Sequence, residues 1–155
     1  MENLDNKSSY KEIRRQAKEY YRKISQVWSP VLKDYVEFNN IGFTHLLRKQ
    51  GMPRAKGEQK RRLSLLMDAV DIIADPEIQF VHEEKDASRS VHFDGGKTTI
   101  LTPAHFWKLT RNEDVRSIKV IVRQFEGGKK HFYSIYAGKQ KRAPESPSLS
   151  YPPSA

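Results

Sequence analysis

The chain has 155 residues, with 28 Lys and Arg against 19 Asp and Glu. That length suits one domain with tails better than two, and a formal charge of +9 points to an anionic partner. No apolar run is long enough to cross a bilayer and no signal-peptide core follows Met1, so a membrane partner is not expected; cysteine is absent, which excludes disulfides and thiolate metal sites and is compatible with a cytoplasmic setting.

Tyr10, Ile13, Ala17, Tyr20, Tyr21, Ile24, Val27 and Trp28 repeat at a helical period with Lys and Arg between them, and predict a basic amphipathic helix from Ser8 to Trp28. Ser9 with Glu12 three residues on fits a capping box, and Ser29-Pro30 ends the helix. Residues 1–30 are read as this helical segment, residues 31–137 as an α+β domain, and residues 138–155, dominated by Lys, Pro, Ser and Ala, as a disordered tail. Within the domain, an extended stretch over residues 31–38 leads to a cap or turn at Asn39-Asn40. A short helix follows from Phe43 to Lys49, broken by Gly51-Met-Pro53. A further helix spans Gly57 to Ala74, with Leu63, Leu66, Met67, Val70, Ile73 and Ala74 as its stripe.

Alternation then replaces the helical period. Short strands are expected at 78–83, 89–93, 98–101 and 104–110, with a hairpin turn at Asp94-Gly95-Gly96. Stronger strands follow at 118–125 and 131–136, joined through Gly127-Gly128. The fold class is therefore α+β, N-terminal helices packed on a C-terminal antiparallel sheet of about four or more strands.

The charge is unevenly distributed. Between Arg48 and Arg62 there are seven basic residues and one acid, a local +6, whereas Asp68 to Asp86 carries seven acids against Lys85. Arg48, Lys49, Arg54, Lys60 and Arg61, with Lys119, Lys129 and Lys130 from the sheet, are the candidate nucleic-acid-binding cations; the alternative is a merely solvated face. No two of the five histidines share metal-ligand spacing, and neither glycine turn has the spacing of a phosphate loop, so no metal and no cofactor are expected.

The final hairpin carries most of the chemistry. A two-residue turn at Gly127-Gly128 places Arg123 opposite Phe132, Gln124 opposite His131 and Ile121 opposite Ser134. Lys119, Ile121, Arg123 and Phe125 then share a face with Phe132, Ser134 and Tyr136, while Val120, Val122, Tyr133 and Ile135 read as core. A cationic, hydroxylated face with aromatics suits phosphate binding and base stacking. His131 falls on the other face unless a bulge re-aims it. His45, beside Arg48 and Lys49, suits a phosphate site or a carbonyl-bonded buried position equally.

The runs Phe38-Asn-Asn-Ile-Gly-Phe-Thr-His-Leu-Leu-Arg-Lys49, Ile118-Lys-Val-Ile-Val-Arg-Gln124 and Gly128-Lys-Lys-His-Phe-Tyr-Ser-Ile135 resemble phage- and mobile-element-associated proteins of the barnase–EndoU–colicin–RelE (BECR) nuclease superfamily. The resemblance covers roughly residues 31–137. It implies helices before a four-stranded antiparallel sheet, and metal-independent RNA cleavage in which a ribose 2′-hydroxyl attacks its own phosphate. It also implies catalytic roles for His45, Arg123, His131 and Ser134: the two histidines as base and acid, Arg123 on phosphate, and Ser134 positioning a phosphate oxygen or the ribose. RNA, tRNA included, would be the partner, together with an immunity or antitoxin protein if the chain is a toxin or mobile-element effector. A non-catalytic RNA- or DNA-binding module and a protein-interaction module docking through the first helix stay open as alternatives.

Overall fold

The structure, a computed structural model, describes residues 6–49 and 51–139. Helix α1 (Asn6–Ile24) is followed by a short hairpin, β1 (Gln26–Ser29) and β2 (Asp34–Glu37), and by α2 (Asn40–Leu47). A two-residue ladder of β3 (Arg48–Lys49) and β4 (Met52–Pro53) leads into α3 (Lys56–Ser64) and α4 (Leu66–Ala74). Four antiparallel strands complete the fold: β5 (Gln79–Phe93), β6 (Gly96–Asn112), β7 (Arg116–Phe125) and β8 (His131–Lys139). The six-stranded sheet runs β1-β2-β8-β7-β6-β5, closed between β2 and β8 by one parallel pairing, Glu37 with His131. The fold is α+β: the helices precede the four long antiparallel strands, and the β1–β2 hairpin between α1 and α2 extends that sheet through its one parallel pairing.

The first helix stops one turn earlier than its apolar period predicts. Ser25 adopts a left-handed conformation (φ 63°), and Val27 and Trp28 continue as strand. A β-branched residue and an aromatic favour a strand once a partner is available; Trp28 lies opposite Tyr35, ring centroids 5.1 Å apart. Ser9 lies inside α1 with its side chain outside the described residues, and Glu12 is bonded instead by Arg15 and by Gln16 at 2.8 Å. The helix is part of the main core. Tyr21, 4 % exposed, packs against Phe38, Phe43 and Phe132, and its hydroxyl donates to the Asn39 carbonyl at 2.6 Å.

Helix α2 starts at Asn40, three residues before the predicted Phe43, because Asn39 caps it: Oδ1 accepts from the amides of Ile41 and Gly42. Gly42 allows the close approach of α2 to β8. A methyl group there would fall inside van der Waals contact with the Phe132 carbonyl oxygen and the Tyr21 hydroxyl. The helix expected over residues 57–74 is two helices meeting at Leu65. Leu63, Leu65, Leu66, Ala69, Ile72 and Ile73 are buried, while the predicted stripe member Met67 is 65 % exposed. The break lets α3 and α4 turn separate apolar faces toward one core.

The short strands expected between residues 78 and 110 are two long ones, paired without interruption from Gln79–Thr110 to Phe93–Gly96 around an Asp94-Gly95 turn. Strand β6 pairs with β7 only from Ala104 onward. Residues 86–93 and 96–103 therefore form a two-stranded arm, with Pro103, which has no amide donor, where β6 parts from β7. Strand β8 continues through Lys139, and the tail from residue 140 lies outside the described residues. Among the described residues no helix is long and apolar enough to cross a membrane.

Candidate active site

The last hairpin turns through five residues, 126–130, with Gly127 at φ 77°. Its register shifts between Ile121 and Val122: Ile121 opposes Ser134 as predicted, but Val122 opposes Phe132 and Arg123 opposes His131. Tyr133 is the extra residue of this β-bulge. Phe132, fully buried against Phe38 at 4.9 Å, takes the core position expected for Tyr133. Tyr133 moves to the opposite face, and His131 joins Arg123 there. The bulge thus collects residues that strict alternation separates.

Arg123 is the centre of the arrangement. It is 6 % exposed and lies over the rings of Phe125 (4.5 Å) and Tyr133 (4.2 Å). Its Nε donates to His131 Nε2 at 3.1 Å. Among the described residues it has no carboxylate partner. Burial lowers its pKa from the ordinary value, yet a guanidinium remains charged at neutral pH. A desolvated cation without a counter-ion is costly, and it offers its remaining N–H groups to an anion.

His45 stacks on Tyr133, ring centroids 4.3 Å apart. Arg54 closes the end of α2, donating through Nε to the His45 carbonyl at 3.0 Å, and its Nη2 stands 3.4 Å from His45 Nε2. Burial, reinforced by Arg54, Arg62, Arg123 and Lys49, lowers the His45 pKa from 6.5 to about 4. Burial and Arg123 lower that of His131 likewise to about 4. Both imidazoles are neutral at pH 7. They differ in freedom, because His131 is 5 % exposed with one nitrogen bonded by Arg123 and a second bond to the Lys129 backbone. His45 is less buried and its one nitrogen contact is long.

Ser134 is buried and accepts from Arg62 Nη1 at 2.9 Å. Arg62 also pairs with Glu58 at 2.7 Å and lies over Tyr136. These groups line a cleft of about 420 Å³ that includes His45, Lys49, Arg54, Arg62, Tyr133 and Ser134. A second cleft, also about 420 Å³, shares His45 and Tyr133 and adds Arg48 and Arg123. A third, about 490 Å³, holds Arg123 and His131 with Lys129 and residues Ser88, Arg89 and Ser90 of the arm.

No protein-family model, curated protein or solved structure matches the chain.

The structure brings His45, Arg123, His131 and Ser134 to one set of joined clefts, with Arg48, Lys49, Arg54 and Lys129 on their walls. Other expected cations stand apart. Lys130 pairs with Asp34 at 3.0 Å and covers Trp107, Arg61 pairs with Glu58, and Lys60 and Lys119 line none of these clefts. His82 and His105, unassigned in the sequence, bond each other at 2.8 Å elsewhere on β5 and β6. Three residues escaped sequence reasoning as site members: Tyr133, concealed by the bulge; Arg62, indistinguishable among its basic neighbours; and Arg89, brought to the site by the length of the arm. Arg89 lies over Phe125 at 5.0 Å, so that ring meets two guanidinium groups.

Proposed function

We propose that this chain is an endoribonuclease that cleaves RNA without a metal ion, through attack of a ribose 2′-hydroxyl on the adjacent phosphate. The observation that carries the reading is Arg123, a buried guanidinium lying over two rings with no carboxylate partner among the described residues; its cleft meets, at His45 and Tyr133, the one that Arg54 and Arg62 line. Such a site recognises a phosphodiester and stabilises the charge that builds on it in the transition state. The resemblance to BECR nucleases supports the same reading, and with it an effector acting on cytoplasmic RNA such as tRNA.

The parts divide as follows. His45, neutral at pH 7, takes the 2′-hydroxyl proton as the oxygen bonds to phosphorus. The P–O5′ bond breaks, and the phenol of Tyr133 gives its proton to the departing oxygen. The products are a 2′,3′-cyclic phosphate and a 5′-hydroxyl. Arg123 and Arg62 hold the non-bridging oxygens. His131, with Arg123 on one nitrogen, fixes the plane of that guanidinium, and Ser134 does the same for Arg62. His131 and Ser134 are in this scheme positioning residues, and the proton-donor role that the resemblance implies for a second histidine passes to Tyr133.

Incubation with a tRNA pool in EDTA tests the reading. Cleavage to cyclic-phosphate ends is expected, with His45→Ala lowering the rate about a hundredfold or more and Arg123→Ala abolishing it while RNA binding by filter assay persists. RNA left intact by the wild type at every salt and pH would refute the nuclease and leave a binding module.

A further inference from the structure

Helix α1 lies outside the segment that resembles the BECR nucleases, and the proposed chemistry gives it no part. Its surface is nonetheless ordered by charge. Lys11, Arg14, Lys18 and Arg22 follow one another at intervals of three and four residues and so form a single row along the helix. The two acids of this stretch serve elsewhere: Glu12 and Glu19 both pair with Arg15. Among the described residues none of the four row members has an ion-pair partner. Like charges at this spacing destabilise a helix, a cost that an anion laid along the row removes.

The row leads to the site. Lys11, Arg14 and Lys18 line a cleft with Lys56, whose ammonium lies over Tyr10. Arg14, Lys18 and Arg22 line the next cleft with Asn40 and Thr44 of α2. Asn40 and Thr44 also line the cleft that holds His45, Arg123 and Tyr133. Residue by residue the surface is continuous from Lys11 to the proposed catalytic centre. The eleven steps from Lys11 to Arg22 span about 17 Å, room for several backbone phosphates.

We infer that this face of α1 is a phosphate track, which holds single-stranded RNA beyond the scissile nucleotide and lengthens the enzyme's grip without taking part in the chemistry. The inference rests on the nuclease reading for the centre it leads to. Its selectivity is for chain length and not for base, because ammonium and guanidinium groups on a helix surface meet only the backbone.

The test uses fluorescent 2′-O-methyl oligoribonucleotides of three and ten residues, which cannot be cleaved, and the full chain carrying Arg14→Gln, Lys18→Gln and Arg22→Gln together. Glutamine keeps helix propensity, and circular dichroism checks that the fold is retained. The triple variant is expected to bind the ten-mer at least tenfold more weakly at low salt. Its plot of log affinity against log salt should be shallower by about 2, since each phosphate that the variant no longer neutralises reduces the slope by roughly 0.7. Binding of the three-mer, and cleavage of an unmodified three-mer, should stay within twofold of wild type. Unchanged binding of the ten-mer, or equal loss for both lengths, overturns the track while cleavage by the wild type leaves the nuclease reading standing. A wild type that binds and cleaves neither length sinks both. A triple variant that keeps RNA affinity but no longer binds vesicles of anionic phospholipid also overturns the track, assigning the face to a membrane surface.

Discussion

Arg123 is placed where a cation is poor for stability, and the proposed function gives that cost a use. Its guanidinium is removed from water between two rings, bonded to a neutral imidazole and unmatched by any carboxylate among the described residues. Arg123→Met keeps a long side chain between Phe125 and Tyr133 while removing the buried charge. It should stabilise the chain by about 1–2 kcal/mol, raising Tm while eliminating cleavage. Phosphate or sulfate should raise the Tm of the wild type but not that of the variant. A variant with unchanged or lower Tm would mean that the cation is already compensated. The histidines give a second consequence. Each titrates near 4 in the folded chain against an ordinary 6.5, so between those values the unfolded chain binds more protons. Stability is full above about pH 6.5 and falls as the pH drops toward 4. Calorimetry from pH 7 to 5, above the range in which the paired carboxylates Asp34 and Glu58 protonate, should show Tm declining, and His131→Gln should flatten the decline. A wild-type Tm that stays level across this window contradicts the burial of a neutral His131.

At the scale of elements, the contact between α2 and β8 places His45 over Tyr133, and it depends on Gly42. Gly42→Ala adds one methyl group where the Phe132 backbone and the Tyr21 hydroxyl leave no space. Overpacking of this kind costs about 1–3 kcal/mol, and the relief available is a shift of α2 away from β8. The expected outcome is a lower denaturation midpoint together with a fall in kcat larger than the change in RNA affinity; a variant with wild-type stability and kcat would show that α2 does not set the site. Much of this framework is legible in the sequence. The helical period of Tyr10 to Ile24, the Asn39 cap, and the alternation of Ile118, Val120 and Val122 are local signals, and the elements stand where those signals lie; the period of Leu63 to Ile73 marks helix without showing the break at Leu65. What the sequence hides depends on distant partners. The end of α1 is concealed because Val27 and Trp28 satisfy a helical period and become strand only when Tyr35 pairs with them. The bulge at Tyr133 has no mark of its own, since His-Phe-Tyr-Ser alternates acceptably in either register. The arm reads as short strands because its two exposed faces lack the alternation that burial of one face imposes.

For the whole molecule, the arrangement of charge accounts for more than its sum. The excess of basic residues between Arg48 and Arg62 reaches the clefts through Arg48, Lys49, Arg54 and Arg62. The acidic stretch that follows is used structurally at Asp68, which holds Arg111 at 2.7 Å, and is displayed on β5 at Glu84 and Asp86. On the proposed reading a polyanion would be drawn to the side on which α1, α2 and β8 meet, where Glu83 is the acid of that stretch that lines the cleft. Two stretches distant in sequence supply that surface: α2, the basic connector and α3 carry His45, Arg54 and Arg62, and the bulged hairpin carries Arg123, His131, Tyr133 and Ser134. On the proposed reading this surface breaks RNA by means of the RNA's own 2′-hydroxyl. The most direct measurement is cleavage, in EDTA, of a deoxyoligonucleotide carrying a single ribonucleotide. A cut only on the 3′ side of that ribose, ending in a cyclic phosphate and lost in His45→Ala and Arg123→Ala, is the predicted result. An intact oligonucleotide, or one cut equally well when the ribose is replaced by deoxyribose, would contradict it.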